Sequence, residues 1–322
     1  LSLFIFYNMS IHKIAFIVPT MDREHDLIRM LQSLEDQTVL PSQVIIVDGG
    51  YKKVDHIIKK FPLIEIEYIR VFPPSLAKQK NAGVKKINND ITLVGYLDDD
   101  LEFYPDSVSN MLDFWDGANT EYGGAAFAVT NINREVGVLR KFLHIDSEQL
   151  GKVFSNGFVS MLDNPEKTTD VDWLYGGATV WKKEVIKNYK YDEWYQGSGF
   201  MEDIDFSYNI RQKYNLIVLA EARVQHHTHP IRGDRYYLLG KWQIINRLYF
   251  VNKYLYRGMS INSAWLASFS VVFINLLAGI ARLDYNRIRM SAGNIAGVII
   301  ATLSKKDVQI IGHLKRMNKN KK

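Results

Sequence analysis

Three short runs of consecutive apolar residues, each ending abruptly in a polar or acidic residue, constrain this chain more than any other feature. Ile14-Ala15-Phe16-Ile17-Val18 stops at Pro19-Thr20, Val44-Ile45-Ile46-Val47 stops at Asp48-Gly49-Gly50, and Ile91 to Leu97 runs into Asp98-Asp99-Asp100. A run too short for a helix and apolar at nearly every position suits a strand covered on both faces, as in parallel sheets. Between the first two runs, Leu27, Met30, Leu31 and Leu34 recur at helical spacing, with Pro41 beyond. Ile64 to Val71 reads as a further strand and Leu76 to Ile87 as a helix. This alternation predicts an open α/β sheet beginning at Lys13. Ligands of such sheets sit outside the carboxyl ends of strands, so Pro19-Thr20, Asp48 and the acidic triplet point to one site.

From Glu102 to Tyr189 the pattern loosens, and beyond Tyr236 it becomes helical. Ser263 to Ile280 carries a helical stripe of Trp265, Leu266, Phe269, Val272, Phe273, Leu276, Leu277 and Ile280, with serines, alanines and Asn275 between. Asn294 to Ala301 is a second apolar stretch, after Arg282, Asp284, Arg287 and Arg289. The first stretch reads as short for a span, and two apolar helices flanked by basic residues fit an interfacial or re-entrant attachment to a membrane, while buried packing or a dimer seam explains them almost equally well. His313 to Lys322 has no acidic residue and reads as a basic tail, either solvated or drawn to anionic lipid. The opening Leu1 to Tyr7 lacks a basic leader and is short for a signal peptide, and Met9 is a candidate start.

The chain has no cysteine, which removes thiolate metal sites and thiol nucleophiles, so any metal must bind oxygen or imidazole. No Walker loop, dinucleotide fingerprint or nucleophile elbow occurs. The 40 basic residues exceed the 35 acidic ones only slightly, and none form a patch interleaved with aromatics, so nucleic acid is not an expected partner. Lys78, Lys80, Lys85 and Lys86 share one helix, where a solvated face is the default.

Three clusters could carry chemistry. Asp98-Asp99-Asp100 packs three mutually repelling carboxylates, so something cationic should compensate; in extended chain Asp98 and Asp100 project to one side and can meet a hard divalent cation. Met201-Glu202-Asp203-Ile204-Asp205 follows Gly197-Ser198-Gly199, and a carboxylate there can act as a general base or merely favour a helix N-terminus. His226-His227-Thr228-His229 can complete a metal site or form a polar loop.

In order along the chain, these pieces resemble the inverting glycosyltransferases of family two. Ile17 to Arg23 resembles the family's first strand and turn, Leu31 to Thr38 its following helix, and Val44 to Gly49 the strand ending in its nucleotide-binding aspartate. Ala77 to Gly83, Tyr96 to Asp100, Trp173 to Ala178, Gly199 to Phe206 and Ala222 to His226 are similar to later family segments. The resemblance implies an α/β GT-A fold, a Rossmann-like mixed sheet flanked by helices, over 13–235. An N-terminal extension over 1–12 and a C-terminal helical region over 236–322 would flank it.

It also implies roles. Pro19, Thr20, Arg23, Asp48, Lys80, Asp98 and Asp99 would bind a nucleoside-diphosphate sugar, UDP first among the nucleotides. Asp98 and Asp100, with His226 or His227, would hold Mn²⁺ or Mg²⁺. Asp203 would be the catalytic base with Glu202 in support, and Trp173, Gly176 and Gly177 would face the acceptor. The reaction implied is transfer to a saccharide or lipid-linked saccharide hydroxyl in polysaccharide or surface-glycan biosynthesis, in the cytoplasm at the inner face of the cell membrane. Two positions depart from the pattern: Gly49 stands where an acidic or amide residue is common, and Lys80 replaces an arginine, losing its planar fork. A sugar-phosphate nucleotidyltransferase is a rival, but it needs a glycine-rich N-terminal loop and Ile17 to Arg23 has no glycine. The non-enzymatic rival is a catalytically inactive, membrane-associated binding protein of the same fold.

Overall fold

The apolar runs become the inner strands of a mixed sheet. In the computed structural model, which describes residues 10–132, 137–162, 164–197, 199–231 and 233–303, every residue of β1 (Ile14–Thr20) and β2 (Gln43–Asp48) is buried. The apolar opening with Met9 and the basic tail from His313 lie outside the described residues. Among those described, the chain forms two compact units: one drawn from residues up to 133, 162–191 and 206–227, the other from 134–161, 192–205 and 228 onward. The described residues of 137–161 and 192–205 group with the C-terminal helices.

The first unit is built on the sheet. β3 (Ile66–Arg70), β2, β1 and β4 (Leu93–Leu97) run parallel in that spatial order. β8 (Ala178–Lys182) pairs antiparallel with β4, and β6 (Tyr122–Val129) antiparallel with β8. β9 (Asn215–His226) follows, parallel to β6. The short β5 (Leu101–Phe103) closes the order, antiparallel to β9 with Leu101 opposite His226. β7 (Thr169–Val171) also pairs with β9. Because β5 follows the acidic triplet directly, this last pairing carries a distant histidine to the carboxyl end of β4.

Helices α1 (Glu24–Glu35), α2 (Leu76–Val84), α3 (Ser107–Gly117) and α5 (Lys183–Asn188) belong to the same unit. α1 buries Leu27, Met30, Leu31 and Leu34, the positions its spacing marks. α2 corrects one expectation: Lys80 does not share a solvated face but is 1% exposed. The core joins Phe16, Phe103 and Phe127, whose ring centroids lie 5.2–6.4 Å apart.

In the second unit, α7 (Arg235–Lys253), α8 (Ile261–Ala281) and α9 (Tyr285–Leu303) pack together, with the short α4 (Val138–Phe142) in the same unit. α6 (Glu202–Ile210) carries the acidic-aromatic segment, and its first turn, Glu202 to Asp205, falls in this unit.

Candidate functional site

Strand β4 delivers Asp98, Asp99 and Asp100 at its carboxyl end, and the three carboxylates take different surroundings. Asp99 turns inward, accepting from Thr20 Oγ1 at 2.7 Å and Arg23 Nη1 at 3.1 Å. Burial pushes its carboxyl up to about 7, with the Arg23 charge pulling the other way. The same Arg23 nitrogen donates to Asp100 Oδ2 at 3.0 Å. Arg23 is thus part of the cationic compensation that three adjacent carboxylates require.

His226 supplies the rest. Its Nε2 lies 2.8 Å from Asp100 Oδ1 and 3.8 Å from Asp98 Oδ2. Burial lowers the imidazole, but the neighbouring Asp100 and Asp98 more than offset this and hold it above its ordinary value. Burial likewise raises Asp100, and His226 with Arg23 outweighs it, so that carboxyl stays below the usual range. Asp100 Oδ1 is buried without a well-directed hydrogen bond, which leaves a lone pair for a ligand. Ligand atoms of Asp98, Asp100 and His226 all lie within 4.8 Å of one another. Two carboxylates and an imidazole gathered at one strand end fit a divalent cation of the Mn²⁺ or Mg²⁺ type.

His227, read from sequence as an equal candidate ligand, is elsewhere. Its Nε2 lies 2.7 Å from Oε2 of Glu102, the middle residue of β5. Only one of two adjacent histidines can face the triplet when their backbone is extended.

The segment expected on the acceptor side is tied to Asp98 and Lys80. Asp98 N donates to Gly177 O at 2.8 Å, and a Cβ on Gly177 would stand 2.0 Å from Asp98 Cγ, so no side chain fits there. Gly176 O accepts from Lys80 Nζ at 2.9 Å. The Lys80 ammonium also lies 4.5 Å from the Tyr191 ring centroid, a cation–π contact. Lys80 therefore holds the Gly176 backbone from within the fold. Trp173 is buried, with its ring 5.6 Å from that of the half-buried Tyr175.

At the end of β2, Asp48 is fully buried with both oxygens engaged: Gly50 N donates to Oδ1 at 2.6 Å and Tyr68 Oη to Oδ2 at 2.5 Å. Burial and this bond push the Tyr68 hydroxyl up to about 12. Arg70 Nε is 3.6 Å from Asp48 Oδ2, opposite it in the β2–β3 pairing, and its Nη2 donates to Gly50 O. Sequence reading missed Arg70, although the strand-end rule applied to the third strand would have found it. Pro19 lies within β1, opposite Val47.

The second unit separates the acids of α6. Gly197, Gly199 and Met201 all have positive φ, Met201 at 76°, a conformation that costs a non-glycine residue about 1 kcal/mol or more. Glu202 is buried, and Asp203 is half-buried with Oδ1 accepting from Ile204 N at 2.8 Å. Asp205 is buried and bonded to Lys253 Nζ at 2.7 Å, and Lys253 also reaches Asp192 at 2.9 Å. Tyr249 donates to the same Asp192 oxygen at 2.8 Å while its ring stacks on Trp194 at 3.8 Å. No sequence signal marked Lys253 or Asp192 as partners of Asp205.

The sequence model of the glycosyl transferase family 2 matches residues 15–186, more than half the chain. The chain belongs to that family. The family 2 match contains β1 through β8 and the acidic triplet; Asp203 and His226 lie beyond it. Among curated proteins, the "Uncharacterized glycosyltransferase YwdF" of Bacillus subtilis is 30% identical over 100 residues, 31% of this chain, and the match spans 37% of that relative's length. Among solved structures, GalNAc-T7 with UDP, GalNAc and Mn²⁺ superposes with a TM-score of 0.54 at 15% identity, covering 74% of this chain and 49% of its own. That likeness shows a shared GT-A fold for the family 2 domain. TarS 1-349 of S. aureus in complex with UDP covers 88% of this chain and 89% of its own, at 15% identity and a TM-score of 0.49.

Proposed function

We propose that this chain transfers a sugar from a nucleoside-diphosphate sugar, with UDP as the nucleotide, to a hydroxyl of a saccharide or lipid-linked saccharide, with inversion at the anomeric carbon. The observation that carries the reading is the convergence of Asp98, Asp100 and His226 at the carboxyl end of β4, inside a family 2 domain. GalNAc-T7, which shares this fold, holds both UDP and Mn²⁺, which supports the choice of nucleotide and metal.

Asp98, Asp100 and His226 would hold Mn²⁺ or Mg²⁺. When bound, that ion supplies a Lewis acid that neutralises the charge developing on the leaving diphosphate. Arg23 fixes Asp99 and Asp100, and Thr20 completes the hold on Asp99, so the carboxylates are set before donor arrives. Asp48 positions Gly50 and Tyr68 at the nucleotide end, and Lys80 positions the Gly176-Gly177 backbone beside Asp98. Tyr175 is the ring this segment can offer an acceptor, since Trp173 is buried.

Asp203 is the proposed base. Its carboxylate takes the proton of the acceptor hydroxyl as that oxygen bonds to the anomeric carbon and the carbon–phosphate oxygen bond breaks, releasing the nucleoside diphosphate. Glu202 supports it, and Asp205 is excluded from the role because Lys253 holds it in a buried ion pair. Placement in the cytoplasm at the inner membrane face, in polysaccharide or surface-glycan assembly, belongs to the same proposal.

The test is thermal unfolding with UDP-, GDP- and dTDP-sugars, each with and without Mn²⁺, because a ligand that binds only the native state raises the melting point. A metal-dependent rise with a UDP-sugar, absent in Asp100→Asn, is the expected outcome. A folded protein indifferent to every donor would overturn the proposal.

A further inference from the structure

The two C-terminal helices of the second unit are packed inside out. α8 has no charged residue, and its length and mean hydropathy of 2.0 are those of a membrane-crossing helix. In a water-soluble bundle the bulky apolar side chains would face inward. Here the inward positions of α8 hold Ala264, Ala267, Ser268, Asn275 and Gly279, with Val271 and Val272 the only larger apolar side chains among those buried.

The outward positions carry the bulk. Leu266, Phe269, Phe273, Leu277 and Ile280 recur at helical spacing and are 45–69% exposed. α9 repeats the arrangement, exposing Ile295, Ile299 and Leu303 and burying Ser291, Gly293, Asn294, Gly297 and Ala301. This refines the stripe read from sequence, since Val272 faces inward.

The contacts between these helices are those that hold helices together without a hydrophobic driving force. Asn275 Nδ2 donates to Asn294 Oδ1 at 2.9 Å, Asn294 Nδ2 to Gly240 O at 2.8 Å, and Ser291 Oγ to Val272 O at 3.0 Å, all of them buried bonds. Gly293 and Gly297, four apart on α9, let α7 approach so closely that a Cβ would meet Tyr237 O at 2.0 Å and Lys241 O at 2.9 Å. Small residues at the seam, polar side chains bonded across it and large apolar residues outside form the pattern of helices in lipid.

The charges agree. Arg282 and Arg289 are exposed where α8 turns into α9. The sequence beyond α9 carries Lys305, Lys306, Lys315, Arg316, Lys319, Lys321 and Lys322 against the single acidic Asp307. Exposed α4 adds Val138, Leu139 and Phe142 beside Arg140 and Lys141 in this same unit, and Leu143, next to α4, packs on the small core that also takes Ile274 of α8.

We infer that the outward face of α8 and α9 is seated in a lipid bilayer, with Arg282 and Arg289 at anionic headgroups. Leu266, Phe269, Phe273, Leu277 and Ile280 enter the hydrocarbon, and the Asn275–Asn294 pair keeps the helices together there. The inference deepens the membrane placement proposed above, and vesicle flotation reads it independently of sugar transfer.

The chain lacks cysteine, so Phe273→Cys gives one labelling position for an environment-sensitive fluorophore. The full chain is mixed with phosphatidylcholine vesicles, with and without phosphatidylglycerol, and floated on a density gradient. The labelled protein should float with both, more completely with the anionic vesicles, and its emission should shift to the blue only when vesicles are present. Phe269→Asp/Phe273→Asp/Leu277→Asp should remain at the bottom with an unchanged melting point; should that triple variant not fold, Phe273→Ser/Leu277→Ser takes its place. Three results would overturn the inference: protein that stays unbound to both vesicles, an Asp or Ser variant that floats as well as the parent, or a blue-shifted label in a vesicle-free dimer, which would assign the face to a second copy.

Discussion

The His226 imidazole stands 2.8 Å from Asp100 Oδ1 because β5, the strand that leaves the acidic triplet, pairs antiparallel with the last residues of β9. The pairing places Leu101 opposite His226, so one residue of register separates a histidine that completes the cluster from one that does not.

That register yields the first prediction. His226→Ala should weaken Mn²⁺-dependent binding of UDP by tenfold or more, on the order expected when a metal site loses support, whereas His227→Ala, which loses only the contact with Glu102, should leave it within about twofold. Isothermal titration of UDP at fixed Mn²⁺ reads both variants. Equal losses would show that the two histidines share the site.

Gly177 is the second. A Cβ there meets the Asp98 carboxyl at 2.0 Å, so Gly177→Ala must displace either Asp98 or the backbone that Lys80 holds. The expected result is a loss of metal-dependent donor binding with a stability cost of about 1–3 kcal/mol, as for other overpacked sites. Normal Mn²⁺ dependence in this variant would contradict the placement of Asp98.

The acids of α6 should separate by effect. Asp203→Asn should lower sugar transfer by about 10²-fold or more, the usual weight of a general base, while donor binding and melting point hold. Asp205→Asn should do the reverse, lowering stability by stranding Lys253. Steady-state transfer assays and urea unfolding of the two proteins make the comparison.

The Lys253 network sets a pH window for stability. Burial raises the Asp192 carboxyl, but bonds from Lys253, Trp194 N and Tyr249 outweigh it and hold it below its ordinary value. Its contribution is therefore complete above an unfolded pKa of about 3.9 and is lost as pH falls through the lowered folded one. Burial lowers Lys253, and Asp205 and Asp192 more than restore it, so its contribution is complete below about 10.4 and fades as pH rises through the raised folded value. Asp205, pushed up by burial, works in the opposite sense and favours the fold as pH falls through its raised value. Lys253→Met should cost about 2 kcal/mol at neutral pH, between exposed and fully buried pairs since the side chain is 32% exposed. Urea unfolding across pH 3–11 checks both the size and the loss of the alkaline limb.

Much of the sheet was legible because strands buried on both faces leave continuous apolar runs. β1, β2 and β4 fall where Ile14, Val44 and Ile91 begin such runs, and α1 buries the residues its spacing marks. β5, β7 and α4 are too short to show a period, which is why 102–189 read poorly. The triplet's need for a cation was legible; that Arg23 and His226 meet it was not, since both come from tertiary placement. Lys80 misled because helix spacing cannot show that Tyr96 and Tyr191 surround an ammonium. Nor does composition show that Asn275 faces inward and Phe273 outward.

The most direct test is anomalous diffraction from crystals of the protein grown with Mn²⁺ and UDP. The account predicts one strong manganese peak within about 2.3 Å of oxygens of Asp98 and Asp100 and a nitrogen of His226, bridging to the diphosphate. Nucleotide bound with no metal at these residues, or manganese held by His227 and Glu102 instead, would contradict it.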